Sequence, residues 1–289
     1  MTIRQSKSLL VSKLTELQIE APAFTAGALL CHILDCSSAY LYTHDDLELT
    51  SLQFCAVEEG VSRLLAGEPL DYIIGHRGFM RMEFLVGPGV LVPRADTEVL
   101  VELCLEAGVE MAGKPLQLLD LCTGSGCIAI SLSRLLQERG LACETVGVDF
   151  SKDALQYAEK NSTQVQWLLA DVLDFEGLLE KVHKTFHIVT INPPYIPSGD
   201  IVNLETKVRS YEPLSALDGG EDGLVFYRVM ADNVHRLLKP GGYFACEIGF
   251  DQGDAVAALF ASVGYYTEIT VHKDYAGKDR VVTCRFPSM

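Results

Sequence analysis

Asn192-Pro193-Pro194-Tyr195 closes the apolar run Phe186-His187-Ile188-Val189-Thr190-Ile191, and these residue types in this order suit the grip of a planar, unreactive NH2 group. Asn192 offers a side-chain carbonyl. The X-Pro bond that follows keeps the backbone extended, so the Pro193 main-chain carbonyl can face the same pocket. A pair of oxygen acceptors can then hold both N–H hydrogens, and Tyr195 adds a flat π face for stacking on the amide or ring that bears the nitrogen. The expected substrate is an amide or an aromatic amine, with Asn192 and Pro193 as catalytic candidates and Pro194 and Tyr195 completing a substrate site. For Asn-Pro alone, a strand stopped by a proline turn is the plainer account; a second motif upstream tips the balance towards chemistry.

That motif is Leu118-Leu119-Asp120-Leu121-Cys122-Thr123-Gly124-Ser125-Gly126-Cys127-Ile128-Ala129, an apolar strand running into a glycine turn and then a helical pattern. Gly124 and Gly126 permit close backbone approach and positive φ, and the helix that follows presents free N–H groups. Asp120, Cys122, Thr123, Gly124, Ser125 and Gly126 are therefore cofactor-binding candidates, with Asn192 at their edge. The spacing Gly124-x-Gly126-x-x-Ala129 also fits a dinucleotide fingerprint, which would imply NAD. Charge separates the two: a carboxylate at Asp120 repels a pyrophosphate but attracts the ammonium of S-adenosylmethionine, which carries no phosphate. Glu144-Thr145-Val146-Gly147-Val148-Asp149 reads as a second strand ending in an acid placed to grip a ribose diol. A third, Val165 to Ala170, ends at Asp171-Val172, where Asp171 can accept from an adenine amino group and Val172 can wall the ring. A helix N-cap is an equal account of Asp171.

The surrounding elements must deliver these residues to one place. In 289 residues with 48% hydrophobic content, one large core and a smaller unit are expected. Residues 5–18, 22–35 and 51–65 carry apolar residues at helical spacing, with Leu9, Leu10, Leu14 and Leu17 in the first and Leu29, Leu30, Ile33 and Leu34 in the second. The spacing thus predicts a helical bundle over 1–70. Over 71–93, Phe79, Met82, Phe84 and Val86 followed by Val90-Leu91-Val92 around Gly87-Pro88-Gly89 suggest a β-hairpin linker. From 94 to 289, helical patterns alternate with short apolar strands at 117–121, 144–149, 165–170, 186–191 and 242–248, the signature of an α/β, doubly wound parallel sheet. Final strands near 266–272 and 280–286 close it as an antiparallel hairpin. Every motif residue named above falls at the carboxyl end of a strand, where ligands bind in such sheets.

No stretch approaches a membrane-spanning run, and the N-terminus leads into an amphipathic pattern instead of a signal peptide, so a cytoplasmic protein is expected. The nine cysteines include no Cys-x-x-Cys pair, and Cys31, Cys104 and Cys246 sit in apolar runs, as reduced core thiols do. No metal site is expected, Cys122 and Cys127 included. A formal net charge of -16 disfavours a nucleic-acid substrate, since Arg77, Arg81 and Arg94 with His76 make only a modest basic patch.

Taken together, these residues resemble the HemK/PrmC-type glutamine methyltransferases that modify peptide chain release factors. The resemblance spans nearly the whole chain. Besides the two motifs, it includes Tyr72-Ile73-Ile74-Gly75 with Phe79 and Phe84, Val92-Pro93-Arg94-Ala95-Asp96-Thr97-Glu98, Glu212-Pro213, Ala216 to Leu224, Glu247-Ile248-Gly249 with Gln252-Gly253, and Gly277 to Val282. It implies a class I, Rossmann-like methyltransferase domain behind a helical substrate-docking domain. The implied reaction is methyl transfer from S-adenosylmethionine to the side-chain nitrogen of Gln in the Gly-Gly-Gln motif of class I release factors. Cys122 stands where the family usually has Gly, Ala95 where it has Pro, and Val172 where a larger residue often lies beside the adenine.

In-line transfer with Asn192 Oδ1 and the Pro193 carbonyl accepting the two N–H hydrogens would localise the amide lone pair without a strong base. Arg94 and Glu98 are equally well explained as substrate contacts or as an ion-paired linker. The other enzymatic reading is an adenine-amine (N6) methyltransferase on DNA or RNA, because adenine N6 presents the same planar NH2. A cofactor-binding sensor without turnover and an NAD-dependent oxidoreductase are the remaining alternatives.

Overall fold

A computed structural model describes every residue of the chain except 112, 114 and 289. Its contacts divide into two compact units, Met1–His76 with Glu205–Tyr211, and Arg77–Leu204 with Glu212–Met289.

The first unit holds helices Ile3–Glu16, Pro22–Leu34, Ser38–Thr43, Ser51–Leu65 and Leu70–Ile74. Thr2 and Thr50 start two of them with reciprocal capping boxes to Gln5 and Gln53, which satisfy the free N–H groups of the first turn. Leu10, Leu14, Leu29, Leu30, Val57, Val61 and Leu64 form the core, whereas Leu9 and Leu17, read from sequence as part of the same stripe, are exposed. Gly60 lets two helices approach: a Cβ there would meet Leu29 Cδ1 at 2.8 Å. The segment 205–211 joins this unit from far along the chain. Its Tyr211 hydroxyl donates to the Ala66 carbonyl at 2.9 Å, and Thr206 lies where a Cβ on Gly67 would come within 3.0 Å.

The second unit begins at Arg77, the second residue of β1 (His76–Phe79), which forms a two-stranded hairpin with β2 (Met82–Leu85). Its turn is Met80-Arg81, both at positive φ (48° and 60°), as a tight primed hairpin turn requires. The sequence reading put the turn at Gly87-Pro88-Gly89 with a strand at Val90-Leu91-Val92. The structure corrects this: those residues lie outside any strand, and neither Met nor Arg signals a left-handed conformation in advance.

The remaining strands are β3 (Leu116–Leu121), β4 (Cys143–Asp149), β5 (Gln166–Leu169), β6 (Phe186–Ile191), β7 (Leu238–Glu247), β8 (Thr267–Lys273) and β9 (Asp279–Arg285). They form a seven-stranded sheet in the order β5-β4-β3-β6-β7-β9-β8. The first five in that order pair in parallel, and β9 runs antiparallel to both β7 and β8. Strands buried on both faces need apolar side chains throughout, which explains Leu118-Leu119 with Leu121, Ile188-Val189 with Ile191, and Phe244-Ala245-Cys246, all essentially inaccessible. The chain leaves β3 towards β4 and β5, then returns to the other side of β3 as β6. This reversal opens a crevice above the adjoining ends of β3 and β6. Among the described residues, no helix is long and apolar enough to cross a membrane.

Candidate active site

A cavity of ≈ 710 Å³ opens at that reversal, within the range of small-molecule sites. Cys122, Thr123, Gly124 and Ser125 from the turn after β3, Asp149, Phe150 and Ser151 after β4, Asp171, Val172 and Leu173 after β5, and Asn192 and Pro194 after β6 all line it. The loop 89–97 and the segment 213–220 supply the remaining walls, together with Val225 and Phe226.

The turn after β3 is built on left-handed residues. Cys122, Gly124 and Gly126 have φ of 53°, 57° and 81°. Gly126 also needs space, because a Cβ would fall 2.6 Å from Trp167 Cη2, and Gly147 in β4 is confined by the same ring at 2.2 Å. The Trp167 indole is fixed by donating to the Ser162 carbonyl at 2.9 Å. Helix Cys127–Glu138 follows directly, with Gly126 as its N-cap and no side-chain cap.

Asp149 ends β4 with its side chain nearly buried. Oδ2 accepts from the Gly124 N–H at 2.8 Å and Oδ1 from the Ser151 N–H at 2.9 Å. Burial pushes its carboxyl up, opposed by those backbone donors. Each oxygen keeps further acceptor capacity, and the residue lines the cavity. Asp171 is exposed, and its Oδ1 accepts from the Leu173 N–H at 2.9 Å. The next helix, Phe175–Val182, is capped by Asp174, so the cap account of Asp171 does not hold. Val172 is buried against the core beside it.

Asp120 differs from the sequence expectation of a carboxylate facing the cofactor. It is 1% exposed and lies beneath the turn, not on the cavity wall. Its Oδ2 accepts from the Thr123 hydroxyl at 2.5 Å and its Oδ1 from the Thr190 hydroxyl at 2.7 Å, which ties β3 to β6. Burial pushes this carboxyl up to about 7 against those donors. The acid of the motif thus braces the turn from below.

At the end of β6, Asn192 is half-buried and lines the cavity, with Nδ2 directed at the Thr97 hydroxyl at 3.5 Å. Thr97 also lines the cavity and was not singled out from sequence as a site residue. Pro193 is buried and Tyr195 half-buried, and neither lines the cavity. Tyr195 is held at both ends. Its hydroxyl lies 3.5 Å from Glu247 Oε1, and its carbonyl accepts from Gln252 Nε2 at 2.9 Å. Gln252 also donates to the Gly223 carbonyl at 3.3 Å and accepts from the Gly249 N–H at 2.9 Å, a clamp that the Glu247-Ile248-Gly249 and Gln252-Gly253 stretch could have signalled. Arg94 pairs with Glu212 at 2.5 Å, while Glu98 accepts from the Met80 N–H at 2.7 Å, so the two do not pair with each other.

The cavity's chemistry fits S-adenosylmethionine. The one cationic side chain among the described lining residues is Arg94, already ion-paired, while Asp149, Asp171 and Asp218 are acidic, so a pyrophosphate would meet net repulsion. Asp149 suits a ribose diol, and Phe150, Val172 and Leu173 offer apolar faces to a purine. Phe150 and Leu173 escaped the sequence reading, although each is the apolar neighbour of a residue that it named.

Fold and site together define a methyltransferase of the class I architecture. Residues 113–268 match a family model described as "Methyltransferase domain", and residues 9–75 match "PrmC N-terminal domain". A crystal structure of a methyltransferase from Pyrococcus furiosus shares this fold, at a TM-score of 0.50 and 17% identity over 71% of this chain and 89% of that one. The release factor glutamine methyltransferase of Thermodesulfovibrio yellowstonii is 39% identical, with 89% of this chain and 90% of that protein covered. Its namesakes from Geobacter sulfurreducens (37%, covering 97% and 95%) and Koribacter versatilis (34%, covering 100% of both) align along the whole chain. The chain belongs to the release factor glutamine methyltransferase family.

Proposed function

We propose that this protein transfers a methyl group from S-adenosylmethionine to the side-chain amide nitrogen of a glutamine in class I peptide chain release factors, the Gln of Gly-Gly-Gln. The position of Asn192 carries this reading. Its amide sits on the wall of the cofactor-sized cavity with Nδ2 committed to Thr97, which leaves Oδ1 as the acceptor for an incoming N–H. When bound, the cofactor would supply an electrophilic methyl carbon, its S–C bond exchanged for an N–C bond, with one amide proton released to solvent.

Asn192 Oδ1, on the cavity wall, holds one N–H hydrogen and turns the nitrogen lone pair towards the cavity, and the Pro193 carbonyl, set back from that wall, is assigned the second. The same oxygens stabilise the positive charge that develops on nitrogen. The proline pair restricts the backbone, so the acceptors need little rearrangement on binding. Tyr195, half-buried outside the cavity wall and clamped by Gln252, is assigned the stacking contact with the substrate amide. Asp149 and Asp171 grip ribose and adenine, and Val172 walls the ring. The first unit supports docking of the protein substrate, consistent with its match to the PrmC N-terminal domain. We place the activity in the cytoplasm.

The test is incubation of the full-length protein and labelled S-adenosylmethionine with a purified class I release factor and, separately, with DNA and RNA. Mass spectrometry should locate a single added methyl group on the Gly-Gly-Gln glutamine. Label entering adenine and not release factor would replace this reading with an N6-adenine methyltransferase.

A further inference from the structure

Glu247 is a buried acid for which the reading above has no use. It ends β7, 1% exposed, beside the Tyr195 hydroxyl of the Asn192-Pro193-Pro194-Tyr195 turn. Its Oε1 faces the Tyr195 hydroxyl, while Oε2 makes no hydrogen bond of normal geometry among the described residues and has the looser Thr97 contact to favour its charge. A carboxylate oxygen enclosed without a well-formed hydrogen bond is destabilising, so the strand itself gains nothing from an acid here. Thr97, 3% exposed, contacts both groups: its hydroxyl favours the ionised form of Glu247 and accepts from Asn192 Nδ2 at 3.5 Å.

We propose that Glu247 is a positioning residue which, acting through Thr97, fixes the Asn192 amide with its oxygen towards the substrate nitrogen. The inference rests on Asn192 gripping the substrate amide. A threonine hydroxyl has a single proton. When Glu247 is ionised that proton is drawn to the carboxylate, the stronger acceptor, and Oγ1 offers Asn192 only lone pairs. Asn192 must then bring Nδ2 to Thr97, and Oδ1 is left to the cavity. A neutral Glu247 can donate to Oγ1 instead, which frees the threonine proton to meet Oδ1 and favours the flipped, unproductive amide. The orientation of an amide whose two ends are nearly isosteric is thereby set by one charge.

Burial pushes Glu247 up to about 7, opposed by the Thr97 hydroxyl, the Arg280 guanidinium and the Tyr195 hydroxyl and reinforced by Asp96. Tyr227, Cys127 and Cys246 are the other titratable groups that sense its charge. The productive amide should therefore gain population as pH rises through about 7.

The test compares Glu247→Gln, Thr97→Val, Thr97→Ser and Asn192→Ala in the full chain. It reads kcat on a release factor at saturating S-adenosylmethionine, affinity for S-adenosylhomocysteine by calorimetry, and the Asn192 side-chain NH2 signal by NMR in the cofactor-free protein. Glu247→Gln and Thr97→Val should lower kcat by ~10-fold or more with cofactor-product affinity retained. Thr97→Ser should restore most of the rate. The Asn192 NH2 signal should titrate around pH 7 in the parent and stay fixed in Thr97→Val. Wild-type kcat in Thr97→Val, or a Thr97→Ser variant as slow as Thr97→Val, overturns the inference. Should Glu247→Gln not fold, the two Thr97 variants decide alone. If Asn192→Ala abolishes turnover while Thr97→Val does not, the Glu247 relay is wrong and the Asn192 grip stands; if Asn192→Ala turns over normally, the grip itself is wrong.

Discussion

Asp149 accepts a hydrogen bond from the Gly124 N–H at 2.8 Å, so the acid that ends one strand holds the glycine turn that ends its neighbour. The residue we assign to the ribose thus also shapes a turn that lines the cavity. Asp149→Ala should weaken S-adenosylhomocysteine binding on the order of 50-fold, since both a charged contact and the turn's anchor are lost. Calorimetry would show it, and affinity within threefold of the parent would remove Asp149 from the site.

Asn192→Ala is expected to separate chemistry from cofactor binding. Turnover on a release factor should fall on the order of 100-fold, the scale seen when one preorganised polar contact to a transition state is removed. Affinity for S-adenosylhomocysteine should hold, because the diol and purine contacts are untouched. Parallel losses in both quantities would show that Asn192 supports the cofactor instead.

Cys122 occupies a left-handed conformation at φ 53°. A Cβ there costs about 1 kcal/mol relative to glycine. Replacing Cys122 by Gly alone would confound this with loss of the thiol's packing, but Cys122→Ala and Cys122→Gly both lose it. Cys122→Gly should be the more stable of the two by about 1 kcal/mol in urea denaturation. Equal stability would mean that the turn relaxes without strain.

Asp120 links stability to pH. Its folded carboxyl is raised from the ordinary 3.8 to about 7, chiefly by burial, so the folded state holds a proton that the unfolded chain releases at lower pH. The contribution is fully present below about pH 4 and is lost as pH rises through about 7. Between pH 5 and 8 the melting temperature should fall more steeply in the parent than in Asp120→Asn, measured by differential scanning calorimetry. Coincident slopes would refute the raised carboxyl.

The sheet was legible in the sequence because buried parallel strands leave near-continuous apolar runs, and those over β3, β4 and β6 match the observed strands within a residue or so. β7 starts earlier than its apolar run, at Leu238, because Lys239-Pro240-Gly241-Gly242 reads as a turn yet is carried in the strand with a shifted register. The helix Ser38–Thr43 is too short for a periodicity to emerge. In the site, glycines and strand-end acids announced themselves by type and spacing. The partners that orient them did not: Thr97 lies 95 residues before Asn192 and Glu247 lies 52 after Tyr195, and no local pattern encodes such a meeting. Asp120 shows the converse, a residue located by its motif whose side chain is bonded to the turn and to β6 behind the cavity wall.

Trp167, wedged against Gly126 and Gly147, is the chain's single tryptophan. Its ring touches the glycine turn at the cavity wall, so the protein carries its own optical probe. Intrinsic fluorescence excited in the indole band reports from that one spot, and ligand occupancy can be followed in real time without a label.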